Sequence, residues 1–96
     1  MKARQLLNRK SKWTKNVLAR DAAGNQCPPG SQCAVQFCLL GALTHCYRCP
    51  AAREFARLRL RSVVLEHTQN YNVSNFNDSP TTTFTDIKRV LKLANV

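Results

Sequence analysis

Five cysteines and two histidines are the residues of this 96-residue chain best suited to metal binding or nucleophilic chemistry. Cys46 and Cys49 have the C-x-x-C spacing of half a zinc site or of a redox-active pair. A zinc site would have to draw its other ligands from Cys27, Cys33, His45 and His67. Zinc binding and thiol redox chemistry are therefore the first hypotheses to weigh against the predicted secondary structure.

Helix geometry argues against a zinc site. Cys33 and Cys46 are expected at opposite ends of one helix, roughly 20 Å apart at 1.5 Å per residue. His67 is expected at the far end of another helix, roughly 25 Å from Cys49. Because zinc holds its ligands within about 2.3 Å, such pairs cannot share one ion. We predict no metal and no other cofactor, with Cys46 and Cys49 as the only metal-ligand candidates.

The spacing of the cysteines, histidines and carboxylates also gives little support to a redox or enzymatic role. In disulfide oxidoreductases the first cysteine caps a helix, whose N-terminus lowers its pKa, whereas here Cys49, the second, takes that position. A reversible Cys46–Cys49 disulfide is kept as an alternative. His45 adjoins Cys46, but adjacent helical positions point about 100° apart. The five carboxylates are scattered and the three glycines stand alone, so we predict that the chain is not an enzyme.

Positive charge dominates the composition, because 15 Lys and Arg against five acidic residues give a net charge of +10. This excess favours nucleic acid, an anionic membrane surface or an acidic protein face as partner. Seven cations precede the first acidic residue, around Trp13, and three arginines recur every four residues on a later helix. The predicted binding residues are Arg4, Arg9, Lys10, Lys12, Lys15, Arg20, Arg53, Arg57 and Arg61.

The hydrophobic pattern predicts a mainly α fold, a small single domain of three main helices with an N-terminal basic helix or arm. Residues 1–30 form a basic arm and turn region, and residues 31–96 form the helical core. A short helix is expected over 2–10, a short strand or extended arm over 13–20, and a turn over 21–25. The main helices are expected from Ser31 to Cys46, from Pro50 to His67, and from Phe84 onward.

Apolar residues at helical spacing indicate which face of each main helix is buried. The predicted core comprises Ala34, Val35, Cys38, Leu39, Ala42, Leu43 and Cys46 on the second helix, Ala52, Phe55, Ala56, Leu60, Val63 and Val64 on the third, and Phe84, Ile87, Val90, Leu91 and Ala94 on the last. Gly41 is expected to admit another backbone, and Thr83 and Asp86 have capping-box spacing. Residues 68–80 are expected to be a polar loop.

A resemblance to a known family rests on several short motifs. They are Trp13, Arg20-Asp21 with Gly24, Ala34 before Phe37-Cys38-Leu39-Leu40-Gly41-Ala42-Leu43, Phe76-Asn77-Asp78, and Thr83 before a helix ending in Ala94. This series resembles a domain family of unknown function found in small bacterial and phage proteins. The resemblance implies one domain with this helical order and no assigned activity. Cys27, Cys33, Cys46 and Cys49 lie outside the motif.

Two of these motifs, Trp13 and the Asn77-Asp78 pair, allow alternative interpretations. Trp13 could stack on bases among its basic neighbours, but its motif position favours packing in the core. The Asn77-Asp78 pair could hold a ligand or a partner's backbone, but an Asx turn before the last helix is the simpler interpretation.

The sequence therefore predicts a small non-catalytic binding protein that contacts nucleic acid through its phosphates. The first alternative is a phage- or plasmid-type regulator that docks on an acidic face of a host protein, and the second is a zinc or redox protein using Cys46 and Cys49. The longest apolar stretch, Ala34–Leu43, is far shorter than the roughly 20 residues of a membrane span. No signal peptide follows the basic N-terminus, so a cytoplasmic protein is expected.

Overall fold

Five α-helices and a two-stranded sheet make up the computed structural model, which describes residues 1–68, 70 and 72–96. The elements are α1 (Ala3–Leu6), a 3-10 turn (Lys10–Lys12), β1 (Ala19–Arg20), β2 (Gln36–Phe37), α2 (Leu39–Cys46), α3 (Pro50–Thr68), α4 (Val73–Asp78) and α5 (Phe84–Ala94). The mainly α prediction is confirmed, and the strand expected within 13–20 is present as β1. The first helix is shorter than the predicted 2–10.

The small sheet fixes the basic arm to the start of the helical core. β1 and β2 are antiparallel, with Ala19 opposite Phe37 and Arg20 opposite Gln36. The predicted turn after β1 is present, because the Asp21 carboxylate accepts hydrogen bonds from the backbone of Ala23 and Asn25. Gly24 follows with φ of +85°, a left-handed conformation that glycine adopts without steric cost.

The second helix begins later than predicted, at Leu39 instead of near Ser31. The sulfur of Cys38 caps it by accepting a hydrogen bond from the Gly41 amide at 3.3 Å. The residues just before it form β2 instead of a helical turn, and Val35, predicted to be core, is 45% exposed. Pairing with the arm explains the difference, because the Val35 amide donates to Arg20 and β2 lies against β1. Periodicity within one segment does not reveal such a partner.

Gly41 admits the arm's backbone, as predicted. A β-carbon at this position would overlap the Leu18 carbonyl oxygen and lie 2.8 Å from the Leu18 carbonyl carbon. The same Leu18 oxygen accepts a hydrogen bond from the Cys38 amide at 3.1 Å. The glycine therefore sets the distance at which the arm lies across the first turn of α2.

The third helix has the predicted extent but a different buried face. Ala56, Leu60 and Val64 are buried as expected. Ala52 and Phe55, also predicted to be core, are exposed, and the Phe55 side chain is 64% exposed. The prediction failed here because α3 carries apolar residues on two opposite faces, and the sequence pattern merged them into one.

The polar stretch after α3 was predicted to be a loop, but it contains α4. The Asn72 side chain caps this helix by accepting from the Asn75 amide at 3.1 Å, a role for which Asn is well suited. Gln69 and Tyr71, which fall in the predicted loop, lie outside the described residues. α5 begins with the predicted capping box, because Thr83 Oγ1 accepts from the Asp86 amide and the Asp86 carboxylate accepts from the Thr83 amide.

One hydrophobic core joins these elements. Its largest fully buried apolar side chains come from the arm, the sheet and three helices: Leu7, Phe37, Leu39, Leu43, Leu60, Val64, Ile87, Val90 and Leu91. Because α1 contributes Ala3 and Leu6 to this core, the basic N-terminal residues that flank it are held at fixed positions beside α5.

We expect Gly41→Ala to lower the free energy of unfolding by about 2 kcal/mol or more, because the added methyl must displace the Leu18 backbone. Gly30→Ala is the matched control, since a β-carbon there meets no atom within 4 Å and its backbone needs no positive φ. Urea unfolding followed by circular dichroism measures both. Equal stability of the two variants would show that Leu18 does not lie against α2.

Candidate nucleic-acid interface

A groove of about 620 Å³ between α1 and α5 is bordered by cations from both helices. Its floor includes the buried side chains of Leu7 and Leu91. Its other lining residues are Arg4, Gln5, Thr85, Lys88, Arg89 and Lys92, so four cations and no carboxylate border it. Such an arrangement attracts anions and excludes cations.

The helical pattern of α5 places its cations at this groove. Ile87, Val90 and Leu91 turn into the core, so the positions between them turn outward. Lys88, Arg89 and Lys92 are exposed and were visible in the sequence as a basic set, but the predicted binding set did not include them. Their spacing opposite the apolar stripe of α5 was the signal that would have found them.

Contacts between the chain ends hold Arg4 at the other side of the groove. Lys2 precedes α1, and its Nζ donates to Asn95 Oδ1 at 2.9 Å, just beyond the end of α5. The Arg4 amide donates to Val96 at 3.4 Å. Arg4 is therefore the one member of the predicted binding set that lines the α1–α5 groove.

Two predicted binding residues are committed to the fold. Lys15 Nζ donates to the carbonyl oxygens of Ser79 at 2.7 Å and Thr82 at 3.1 Å. Arg20 donates from Nε to Thr14 Oγ1 at 2.9 Å and from Nη1 to the Gly24 carbonyl at 3.1 Å. These bonds leave both side chains with fewer donors for an external phosphate.

Lys10 and Lys15 line a second cavity of about 500 Å³, together with Trp13 and Thr82–Thr85. Thr85 also borders the α1–α5 groove, so the two depressions are neighbours. Lys10 is exposed and extends the positive surface toward the arm. Arg9 is also exposed and Lys12 is half-buried, but neither lines the groove.

The arginine row of α3 lies elsewhere. Arg57 and Arg61 line a separate cavity of about 240 Å³ with Leu40 and Asn72–Ser74, and Arg53 is half-buried. Arg57 forms a bidentate ion pair with Glu54 at 2.6 and 2.9 Å, which also lowers the pKa of the Glu54 carboxyl. One member of the row is thus neutralised, whereas the groove cations form no ion pair within the described residues.

One carboxylate lies close to the groove without lining it. Hydrogen bonding from the Thr83 amide holds the pKa of Asp86 below its ordinary value, and Arg89 adds to this effect. Because Asp86 accepts from Thr83 as part of the α5 cap, its charge is partly satisfied there. The groove therefore keeps its positive character.

A hydrogen bond joins Trp13 to the buried side chain of Asn77. This contact bears on the alternative interpretations of both residues. Asn77 is 1% exposed, and its Oδ1 accepts from Trp13 Nε1 at 2.8 Å and from the Leu39 amide at 3.1 Å. Its Nδ2 donates to the Thr14 carbonyl and to Asp78. Asn77 lies inside α4, so the predicted Asx turn is wrong, although the interpretation that it is structural holds. Trp13 packs against the core, as predicted.

The cysteines and histidines are distributed over the fold without forming a cluster. All five cysteines are free thiols. The argument that Cys33 and Cys46 end one helix is wrong, because α2 begins only at Leu39. Within the described residues, however, no group of three His, Cys, Asp or Glu is placed to hold a metal ion.

His45 is held by the fold instead of by a thiol. Its Nδ1 lies 2.8 Å from the Pro29 carbonyl oxygen, and its ring packs against Phe37 with centroids 4.7 Å apart. Because a carbonyl oxygen only accepts, Nδ1 carries a proton in this arrangement. The imidazole thus anchors the Pro28-Pro29-Gly30 segment to α2.

The thiols differ in acidity. Burial raises the pKa of Cys38 and of Cys46. Hydrogen bonds from the backbone of Ala52 and Ala51, at the start of α3, lower the pKa of Cys49. Cys49 is also exposed, so of these three thiols it has the largest fraction of accessible thiolate at neutral pH.

The fold and the groove define the class of protein: it is small, mainly α-helical and strongly basic, and a cation-lined groove lies between α1 and α5. No helix in the described part of the chain is both long and apolar enough to cross a membrane. The chain belongs to a family of unknown function, DUF6197, whose sequence profile matches residues 1–95. Searches of curated proteins and of solved structures found no significant match.

We expect Asn77→Leu to lower the free energy of unfolding by about 3 kcal/mol, because Trp13 Nε1 and the Leu39 amide lose a buried acceptor. Asn75→Leu is the control on the same helix, because that side chain is exposed. Urea unfolding followed by the fluorescence of Trp13, the single tryptophan, measures both. A small effect of Asn77→Leu, equal to that of the control, would contradict a buried Asn77 hub.

We expect iodoacetamide to alkylate Cys49 faster than Cys33, which is also exposed, at neutral pH, because the helix start lowers the Cys49 pKa. Cys38 and Cys46 should react slowest. Mass spectrometry of timed digests gives the rates, and the Cys49→Ser variant confirms the assignment. The advantage of Cys49 should shrink as the pH rises, because its own rate stops increasing once its thiol is fully ionised; a constant ratio would contradict the lowered pKa.

Proposed function

We propose that this protein binds the sugar-phosphate backbone of nucleic acid along the α1–α5 groove, without catalytic activity of its own. The observation that carries the proposal is the lining of that groove: four cations, no carboxylate, and no ion pair made by Arg4, Lys88, Arg89 or Lys92 within the described residues. Free cations on a fixed surface release counterions from a bound phosphate chain, which is the main source of non-specific affinity.

The shape of the groove supports a linear anion over a compact one. The cations stand on two helices on either side of the buried Leu7 and Leu91. The adjoining cavity continues the surface through Thr85 to Lys10. A phosphate chain that follows this path meets successive cations, as single-stranded binding grooves require.

We do not expect this protein to distinguish base sequences. Trp13 is half-buried, and its ring already packs against Phe84 and the Lys15 ammonium, so it does not offer a free stacking platform. The long side chains that line the groove are mainly cations, which contact phosphates irrespective of sequence. Affinity that depends on charge and little on sequence is the expected outcome.

We expect binding to mixed-sequence DNA and RNA oligonucleotides that weakens log-linearly with salt, measured by fluorescence anisotropy. Each phosphate contact on a duplex contributes a slope of about 0.9. Arg4→Gln should lower the slope by about that amount, and replacing all four groove cations by Gln should abolish binding. Arg48→Gln removes the same charge from an exposed residue outside the groove and should leave the slope unchanged.

Two results would contradict the proposal. Equal effects of Arg4→Gln and Arg48→Gln would show that total charge matters and the groove does not. No binding of any oligonucleotide at about 50 mM salt would exclude nucleic acid as the partner. The positive surface would then favour the alternative of a phage- or plasmid-type regulator that docks on an acidic face of a host protein.

A further inference from the structure

The outward face of α3 carries an apolar row that no element of the described chain covers. Its apolar members are Ala51, Phe55, Leu58 and Leu65, with Ser62 as one polar position among them, and all five are exposed. Phe55, Leu58 and Leu65 are 64%, 48% and 43% exposed. The row lies opposite the buried face formed by Ala56, Leu60 and Val64, because its positions fall about 180° around the helix. We call it the α3 seam.

The spacing within the α3 seam alternates between four and three residues, which is the heptad pattern of a two-helix contact. Ala51, Leu58 and Leu65 take the d positions of this pattern, and Phe55 and Ser62 take the a positions. A surface helix that serves only its own core needs one apolar stripe. The second stripe of α3 is therefore shaped for another helix.

Charged residues flank the α3 seam in an ordered way. Glu54 and Arg61 occupy the g positions on one side, and Arg59 and Glu66 occupy the e positions on the other. In a parallel in-register pair, each g residue faces the e residue five positions later on the other helix. Glu54 then faces Arg59 of the second copy, and Arg61 faces Glu66 of the second copy.

The antiparallel arrangements of the same seam are less complementary. There g residues face g residues and e residues face e residues. One register pairs Glu54 with Arg61 of the second copy but leaves Arg59 and Glu66 without an opposite charge, and the register one heptad away places Arg61 against Arg61 and Arg59 against Arg59. Like charges placed at such close range are destabilising. The charges therefore select both a partner, a second copy of this chain, and its direction.

We propose that two copies of this protein associate through the α3 seam as a parallel helix pair. The existing contacts leave the flanking groups available. Arg59 commits its Nε to the Ala94 carbonyl at 2.9 Å, which leaves its terminal nitrogens free to donate. Glu54 accepts from Arg57, and each carboxylate oxygen keeps a second lone pair. Arg61 and Glu66 make no side-chain hydrogen bond or ion pair within the described residues.

The net charge of +10 on each copy opposes association, and this gives the dimer a distinct salt dependence. Added salt screens the overall repulsion over the Debye length, about 10 Å at 0.1 M. The apolar contacts of the seam are not weakened by this screening, and ion pairs at contact distance are screened less than like charges that lie more than a Debye length apart. Moderate salt should therefore strengthen the dimer, whereas it weakens nucleic-acid binding. The dimer does not rest on the proposed function, since none of the groove cations belongs to the seam.

Sedimentation equilibrium of the full chain tests the proposal directly. The 10.8 kDa chain should show a concentration-dependent rise toward twice that mass, and Phe55→Ser with Leu58→Ser should abolish the rise. Both substitutions lie on an exposed face, and circular dichroism confirms that the fold is kept. Wild-type protein that stays monomeric at all accessible concentrations would overturn the proposal, as would a dimer that survives the double substitution.

Charge exchange tests the direction of the pair. Arg61→Glu alone and Glu66→Arg alone should each weaken the dimer, because each places like charges at positions 61 and 66 of the two copies. The double variant, Arg61→Glu with Glu66→Arg, should restore it. In an antiparallel pair Glu66→Arg alone would have no effect and the double variant would stay weak, and that pattern would overturn the parallel arrangement.

Discussion

The buried amide of Asn77 is the interaction on which the rest of this structure depends. Its oxygen accepts from Trp13 and Leu39, and its nitrogen donates to Thr14 and Asp78, so it joins the arm, α2 and α4. A buried polar side chain stabilises a fold only when it is satisfied, and in the described residues no buried side-chain nitrogen or oxygen lacks a partner.

The neighbouring bonds extend this connection along the arm. The Asn16 amide donates to Asp78 at 2.8 Å while its φ is +73°, and Lys15 reaches the carbonyls of Ser79 and Thr82. Four consecutive arm residues, 13–16, are thus bonded to the segment from 77 to 82. This attachment fixes the arm, and the arm in turn supplies Leu18 to Gly41 and β1 to β2.

The residues that carry the family resemblance therefore have structural roles. Asp21 and Gly24 form the turn, Gly41 admits the arm, and Trp13 and Asn77 form the interior connection. The cations of the α1–α5 groove are not among the residues named for these motifs, although three of them lie on the helix between Thr83 and Ala94. A protein's motif can specify its architecture while its surface specifies what it binds. In this chain the motif residues build the interior, and the cations of the α1–α5 groove form the surface proposed to bind.

The sequence predicted the features that local chemistry decides. The extent of α3, the start of α5 with its capping box and the Asp21 turn each depend on a few adjacent residues. The start of α2 and the exposure of Val35 depend on β1, which lies about fifteen residues away, and such pairing leaves little local signal. α4 was not predicted, because Asn72 was interpreted as a loop residue instead of a helix cap. Of the predicted binding set, only Arg4 lines the groove, because the hydrogen bonds that occupy Lys15 and Arg20 are tertiary.

The placement of the five acidic residues explains how one chain can carry one surface that is purely cationic and another with charges of both signs. Asp21 and Asp78 bind backbone amides in the arm region, and Asp86 caps α5. Glu54 and Glu66 flank the exposed side of α3. No acidic residue lines the α1–α5 groove, so its cations keep their full field, while α3 has charges of both signs beside its apolar row. Salt should thus act oppositely on the two surfaces, because phosphate binding releases counterions whereas self-association is limited by the net charge that salt screens.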